Sequence, residues 1–325
     1  MSRYLVTGAA GFIASRVCHM LVEQGHEVVG VDNMSDSYDV RLKEWRLSQL
    51  LPLKGFTFVR QDICDYSGFG QALEAFMPFD AIINLAARAG VRASVDNPWI
   101  FVETNIRGTL NLLEFARHHG IGKFVLASTS SLYGSRNPLP FHEDDDTDHP
   151  ISPYAASKKG AESLAFSYHH LYGIDTTVFR YFTVYGPAGR PDMSPLRFAQ
   201  WICEGKPVTV TGDGSQIRDF TYVDDIARGT IAGLRPLGFE TINLGNDNPR
   251  PLMDMIHILE KEFNRKANII YAPMPRADVN ATQASLEKAG ALLNWEPAIS
   301  LEEGIAHLAA WYLAERQWAS QILTP

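Results

Sequence analysis

The chain has 325 residues, 46% of them hydrophobic and 20% charged, an ordinary globular composition with ample apolar material for a core. A net charge of −8 and a pI near 5.7 argue against nucleic acid or an anionic membrane as the main partner. No apolar run approaches the roughly 18 residues of a membrane span, and the first strand begins almost at Met1, so a soluble, cytoplasmic protein is expected.

Residues 4–6 suit a buried strand, and Gly8 and Gly11 bracket a tight turn. Phe12, Ile13, Val17, Met20 and Leu21 then recur at helical spacing. A strand, a glycine turn and a helix N-terminus make an anion site, because backbone N–H groups can approach a pyrophosphate and the helix dipole favours its charge. Ala14 stands where a third glycine often sits, and is small enough for close helix–strand packing. An ordinary strand-to-helix turn would use the same glycines. Residues 27–31 form a second apolar run ending in Asp32, at the distance where an acid accepts hydrogen bonds from the adenosine ribose. Such an acid repels a 2′-phosphate, so the cofactor reading is NAD rather than NADP; a loop cap is the bland alternative.

Residues 33–46 are polar with scattered aromatics. A third strand at 56–59 leads to Asp62, which either meets the adenine amino group or caps the helix predicted at 66–76. A fourth strand at 81–84 ends in Leu85-Ala86-Ala87; a long helix at 98–120 and a fifth strand at 124–127 follow. A helix at 154–172 and a sixth strand at 176–179 complete a run of βαβ units, which predicts a parallel sheet with helices on both faces. From Tyr185 the rhythm changes: glycines and prolines precede a helix at 196–205 and a strand at 208–211. Residues 221–231 read as helix and 241–244 as one more strand of the first sheet, and the remainder builds a smaller α/β lobe. The expected division is 1–183 with about 221–248 for the cofactor, and about 184–220 with 249–325 for the substrate. Cys18, Cys64 and Cys203 are odd in number and lack metal-ligand spacing; reduced thiols and no metal are expected. The acidic run 143–146 reads as a solvated loop.

Three short sequences carry the chemistry, at strand ends where ligands bind in such sheets. Tyr154 and Lys158 lie one helical turn apart on one face. An ammonium beside a phenol favours the phenolate, lowering its pKa from about 10 toward physiological pH and making a base for an alcohol; a surface pair at the same spacing is the alternative. Ser128, Thr129, Ser130 and Ser131 follow the fifth strand, as crevice hydroxyls or as a turn and cap. Thr183 ends the sixth strand, facing the same crevice or simply closing the strand.

Together these residues resemble the extended short-chain dehydrogenase/reductase family over nearly the whole chain. The glycine turn, Asp32, Asn84-Leu85-Ala86-Ala87, the hydroxyl stretch, Tyr154-x-x-x-Lys158 and Arg218-Asp219-Phe220-Thr221-Tyr222-Val223-Asp224-Asp225 all take part. The resemblance implies a Rossmann-type doubly wound parallel sheet with a smaller C-terminal α/β substrate lobe, bound NAD and a UDP-sugar substrate. It implies Tyr154 as base, Lys158 as the group that lowers its pKa and binds the nicotinamide ribose, and Thr129 as a hydrogen-bond donor to the reacting oxygen. Further NAD contacts would come from Gly8, Gly11, Phe12, Ile13, Asp32, Asn33, Asp62, Ile63, Leu85, Ala86 and Ala87. Sugar-nucleotide contacts would come from Arg92, Ser130, Ser131, Thr183, Arg190, Arg197 and Asp278, with Arg218 on the diphosphate. The helices at 98–120 and 154–172 resemble those of a four-helix homodimer interface.

Family members that eliminate water resemble Thr-Asp-Glu after the fifth strand, and those that decarboxylate carry a glutamate two residues before the tyrosine. Here Ser130 and Ser131 stand in those places, leaving hydride transfer and its reversal, which is epimerisation. Residues 38–44, 89–92 and 183–193 resemble the branch that epimerises UDP-glucuronate at C4, through a 4-keto sugar that turns over before re-reduction. Thr183 replaces the asparagine of enzymes acting on UDP-glucose, and Arg88 departs from the branch's small or amide residue. UDP-glucose epimerisation, decarboxylation and a non-enzymatic NAD-binding regulator are the rival readings.

Overall fold

The computed structural model describes residues 1–275 and 278–324. Its main sheet has seven parallel strands: β1 (Arg3–Thr7), β2 (Glu27–Asp32), β3 (Phe56–Arg60), β4 (Ala81–Asn84), β5 (Lys123–Thr129), β6 (Asp175–Tyr181) and β7 (Phe239–Leu244). They lie in the order β7-β6-β5-β4-β1-β2-β3, the doubly wound Rossmann arrangement expected. Every residue of β4 and β5 is buried, as parallel strands covered on both faces must be. Alternate side chains serve opposite faces. Val6, Ile83, Val125 and Phe179 pack under the helix Phe12–Glu23, while Leu5, Ile82, Phe124 and Val178 pack under the helices Gly108–His119 and Pro153–Tyr172. β7 pairs with β6 in parallel over six residues, so the late apolar run does return to the first sheet.

A third apolar cluster gathers Tyr185, Leu196, Phe198, Val208, Met255, Ile305 and Tyr312 from the later part of the chain. Three short strand pairs edge it: Thr183–Tyr185 with Phe220–Tyr222, Ile217–Arg218 with Arg250–Pro251, and Pro207–Thr211 with Asn268–Ala272. Among the described residues no helix is long and apolar enough to cross a membrane.

Several elements differ from the sequence reading. The polar stretch 33–46 runs into a helix, Val40–Leu50, capped by Asp39, whose carboxylate accepts the Arg41 N–H at 3.1 Å. Its buried positions are Leu42, Lys43, Arg46 and Leu50, two of them cations, so an apolar period does not reveal it. The helix expected at 98–120 contains a π segment, Val102–Arg107, between Trp99–Phe101 and Gly108–His119. The one from Tyr66 stops at Leu73 and tightens into a 3₁₀ turn. Residues 220–222 are strand, and the helix there is Val223–Ala232.

Candidate active site

The strand order reverses between the parallel neighbours β1 and β4, and the crevice beyond their carboxyl ends is the ligand position in such sheets. The Thr7 hydroxyl donates to Asn84 at 2.8 Å and accepts the Ala86 N–H at 3.3 Å, locking the two strand ends together. Gly8 has φ +73°, and a Cβ there would stand 2.9 Å from the Ala86 Cα, so only glycine fits the turn. Its position against Leu85 and Ala86 leaves a shallow floor below the N-terminus of the Phe12–Glu23 helix.

Asp32 is buried at the end of β2, its Oδ1 accepting the Met34 N–H at 2.8 Å and the Lys43 ammonium at 3.1 Å. No partner among the described residues occupies Oδ2. Asp62 accepts the Asn33 amide and the Cys64 N–H, both at 2.8 Å. Burial pushes its pKa up, yet those hydrogen bonds outweigh it and hold the carboxyl below its usual range. The helix from Tyr66 is capped instead by Asp65, which accepts the Gly68 N–H at 3.1 Å. Phe12 and Ile63 are buried, and Ile63 packs so closely on Gly108 that a Cβ there would stand 2.5 Å from it. Backbone donors at a helix N-terminus, a half-free carboxylate on the next strand and a carboxylate on the third fit the pyrophosphate, ribose and adenine of a dinucleotide.

Tyr154 and Lys158 sit in the first two turns of Pro153–Tyr172, whose N-cap Ser152 accepts the Ala155 N–H at 3.2 Å. The Tyr154 ring stands edge-on to Phe101, 6.1 Å between centroids. Lys158 is fully enclosed; burial lowers its pKa to about 8, against the Glu162 charge one turn on. Burial raises the Tyr154 phenol, and the Thr129 hydroxyl and Arg190 charge only partly offset it. The lowered phenol expected from the Tyr–Lys pair is therefore not a property of the chain by itself, because desolvation outweighs both aids.

Thr129 serves as a cap as well as a crevice hydroxyl: it accepts the Ser131 N–H and donates to the Ser131 hydroxyl, both at 3.1 Å. Ser128 points away and donates to Glu162 at 2.5 Å. Ser130, Ser131 and Thr183 line a cavity of about 500 Å³, with Arg92, Arg197, Arg218 and Asp278 on its walls. Arg92 pairs with Asp278 at 2.6 Å, and Arg197 lies 4.9 Å over the Trp201 ring. Burial lowers the Arg218 and Arg197 guanidinium pKa values; the Arg92 charge adds to this in both, and Asp278 only partly offsets it. Such crowding of cations is relieved by an anion. Arg190 does not line this cavity itself; its Nε donates to Asp192, which does, at 3.0 Å.

Residues 4–245 match the model of the NAD dependent epimerase/dehydratase family. The chain belongs to that family. It is 55% identical over 312 residues to a UDP-glucuronate 4-epimerase of Thermodesulfobacterium geofontis, covering 96% of each chain. It is 41% identical to a probable UDP-glucuronate 4-epimerase of Rhizobium meliloti, over 95% of this chain and 96% of that one. Among solved structures, the UDP-glucuronic acid 4-epimerase of Bacillus cereus in complex with UDP-glucuronic acid and NAD superposes with a TM-score of 0.89 at 36% identity. That match covers 96% of this chain and 99% of the other.

Within this epimerase/dehydratase scaffold, the structure adds residues that sequence reasoning passed over. Asn105, buried in the π segment, donates to the Ser157 hydroxyl at 2.9 Å and to the Arg88 carbonyl at 3.0 Å, while accepting the Arg88 N–H at 2.8 Å. It thus ties the loop after β4 to the helix of Tyr154. Glu162 forms a buried fork with Arg180, at 3.1 and 3.0 Å, behind the hydroxyl stretch. Asp219 accepts N–H groups of Asn246, Asp247 and Ala284, fixing the backbone next to Arg218. Glu162 at i+4 from Lys158 was the one such signal visible in the sequence.

Proposed function

We propose that the chain is an NAD-dependent UDP-glucuronate 4-epimerase that interconverts UDP-glucuronate and UDP-galacturonate. The observation that carries the reaction assignment is the neutral lining of the cavity by Ser130 and Ser131, at positions where by the family resemblance a dehydratase or decarboxylase has a carboxylate, with the hydroxyl of Thr183 in the same lining. Arg92, Arg197 and Arg218 in the cavity lining, with Arg92 held on Asp278, suit the diphosphate and its uridine end. Bound NAD supplies a reversible two-electron acceptor at the sugar C4. Tyr154 takes the 4-hydroxyl proton and later returns it; Thr129 fixes the 4-oxygen; Lys158 supplies the positive charge that a buried phenolate requires. After oxidation the 4-keto sugar turns over and presents its other face, so cofactor is regenerated in each cycle. Incubating pure protein with UDP-glucuronate and resolving the sugars tests this: UDP-galacturonate is expected, and its absence from an active-site-intact preparation overturns the assignment.

The division of the chain belongs to the same proposal: residues 1–183 with about 221–248 for NAD, and about 184–220 with 249–325 for the UDP-sugar. The apolar cluster around Tyr185, Phe198 and Tyr312 supports the second part, although Phe12 and Leu42 join it and Ala289, Leu293 and Trp295 pack with the main sheet. A cytoplasmic location is part of the reading, from the free, unpaired cysteines. So is a homodimer. Trp99 is 81% exposed, and Phe166 and Leu171 are more than half exposed on the neighbouring long helix, an apolar face suited to a two-fold contact. Light scattering is expected to give twice the 36.2 kDa chain mass; a monomer at micromolar concentration counts against the contact.

Asp32→Ala is expected to weaken NAD by roughly tenfold to a hundredfold, the worth of charge-assisted hydrogen bonds, and to erase discrimination against NADP. Titration with both dinucleotides checks it. Undiminished preference for NAD in the variant would remove Asp32 from the ribose site.

A further inference from the structure

Arg46 is 3% exposed and makes five hydrogen bonds, none of them to a carboxylate. One arm of the guanidinium donates to the Ala10 carbonyl, inside the glycine turn, at 3.1 Å and to the Tyr38 hydroxyl at 2.7 Å. Its Nε and other arm donate to the Ala188 carbonyl at 2.9 and 2.6 Å, and to the Gly189 carbonyl at 3.2 Å. The planar fork therefore bridges two backbone segments 178 positions apart (188 − 10). Ala188 has φ +50°, a left-handed backbone that is strained for a non-glycine residue and persists only where the surroundings impose it. Two residues later comes Arg190, held on Asp192 and acting electrostatically on Tyr154. Three residues before Arg46, on the same helix face, Lys43 holds Asp32.

We propose that Arg46 is a positioning residue that couples the cofactor turn to the loop carrying Arg190, so that the two halves of the site are set together. The inference rests on the functional reading above, and adds to it a link between retention of the dinucleotide and recognition of the sugar acid. The guanidinium replaces a pair of backbone contacts that neither segment could make with the other, and it does so without touching the reacting atoms. A lysine at this place can reach one side at a time, never both.

The test uses purified holoenzyme of Arg46→Met, Arg46→Lys, Arg190→Met and the double variant Arg46→Met with Arg190→Met. Two quantities are read: the first-order release rate of bound NAD, and the ratio of kcat/KM for UDP-glucuronate over UDP-glucose. Arg46→Met is expected to release NAD at least about tenfold faster, since several buried carbonyls lose their donor, and to lower the acid-over-neutral ratio. Arg190→Met lowers the ratio alone. The double variant keeps the ratio of Arg190→Met and the release rate of Arg46→Met, because one residue acts through the other on the sugar only. Arg46→Lys falls between wild type and Arg46→Met on both readouts, and decides the matter if the methionine variant does not fold. Wild-type release, or additive losses in the ratio, overturns the coupling. A wild-type enzyme inactive on UDP-glucuronate would instead sink the functional reading, while the release arm still tests the strut.

Discussion

Tyr154→Phe is expected to lower kcat on UDP-glucuronate by on the order of 10²–10⁴, the range for removing a positioned proton-transfer group, while UDP-sugar affinity stays within a few-fold. The phenol contributes little uniform binding, so the loss falls on kcat and not on KM. Lys158→Met should do comparable harm for a different reason: it removes the cation that a buried phenolate needs beside it. The two variants separate in stability. Burial holds Lys158 at about 8, below its unfolded value of about 10.4, so between those pH values the unfolded chain binds more protons and stability rises with pH. At pH 7 the enclosed ammonium is a net cost, and Lys158→Met is expected to melt higher than wild type while being inactive. On the activity side, kcat of the wild type is expected to fall as pH rises past about 8 and the ammonium is lost. Thermal melts and a pH series of initial rates check both. Substantial turnover in Tyr154→Phe would mean another base, and a lower melting temperature in Lys158→Met would contradict the burial argument.

The second large effect concerns a reaction that the site must avoid. A 4-keto hexuronate is a β-keto acid: when the C5–carboxylate bond aligns with the carbonyl π system, its electron pair moves onto the 4-oxygen as an enolate and CO₂ leaves. Holding that bond near the carbonyl plane removes the overlap. Neutral hydroxyl donors can do so without repelling the carboxylate, and Ser130 and Thr183 have hydroxyls with no partner among the described residues, with Ser131 lining the same cavity. Each charge-assisted hydrogen bond is worth about 1.5–3 kcal/mol. Thr183→Val and Ser130→Ala are thus expected to weaken UDP-glucuronate roughly tenfold or more relative to UDP-glucose, and to leak CO₂ and a UDP-pentose during turnover. Chromatographic product ratios decide: equal losses on acid and neutral sugars, with no pentose, would show that these hydroxyls do not hold the carboxylate.

The parallel sheet was legible because strands buried on both faces read as apolar runs, as in β4 and β5, and because the glycine turn must obey backbone sterics. The Tyr154–Lys158 pair was legible because helical spacing alone puts it on one face. What stayed hidden has no local signature. Lys43 and Arg46 are cations on the buried face of their helix, so they erase the apolar period that would announce it. Arg46 bonds carbonyls 142 and 143 residues away, and a carbonyl carries no sequence identity. Asn105 acts through a π segment that no spacing rule anticipates. The upward shift of the Tyr154 phenol is hidden for a related reason: pairing shows in a sequence, whereas desolvation depends on everything folded around the pair.

The pairing of β7 with β6 bears on how the protein is made. While the ribosome is still adding residues between Tyr181 and Phe239, β6 presents a row of unsatisfied N–H and C=O groups along a strand whose side chains are almost all apolar or enclosed in the finished protein. Such an edge templates pairing with any other extended chain nearby. The nascent polypeptide therefore carries a sticky border through a long stretch of its synthesis, and a transcript cut short before β7 would yield a product that aggregates rather than a smaller working enzyme.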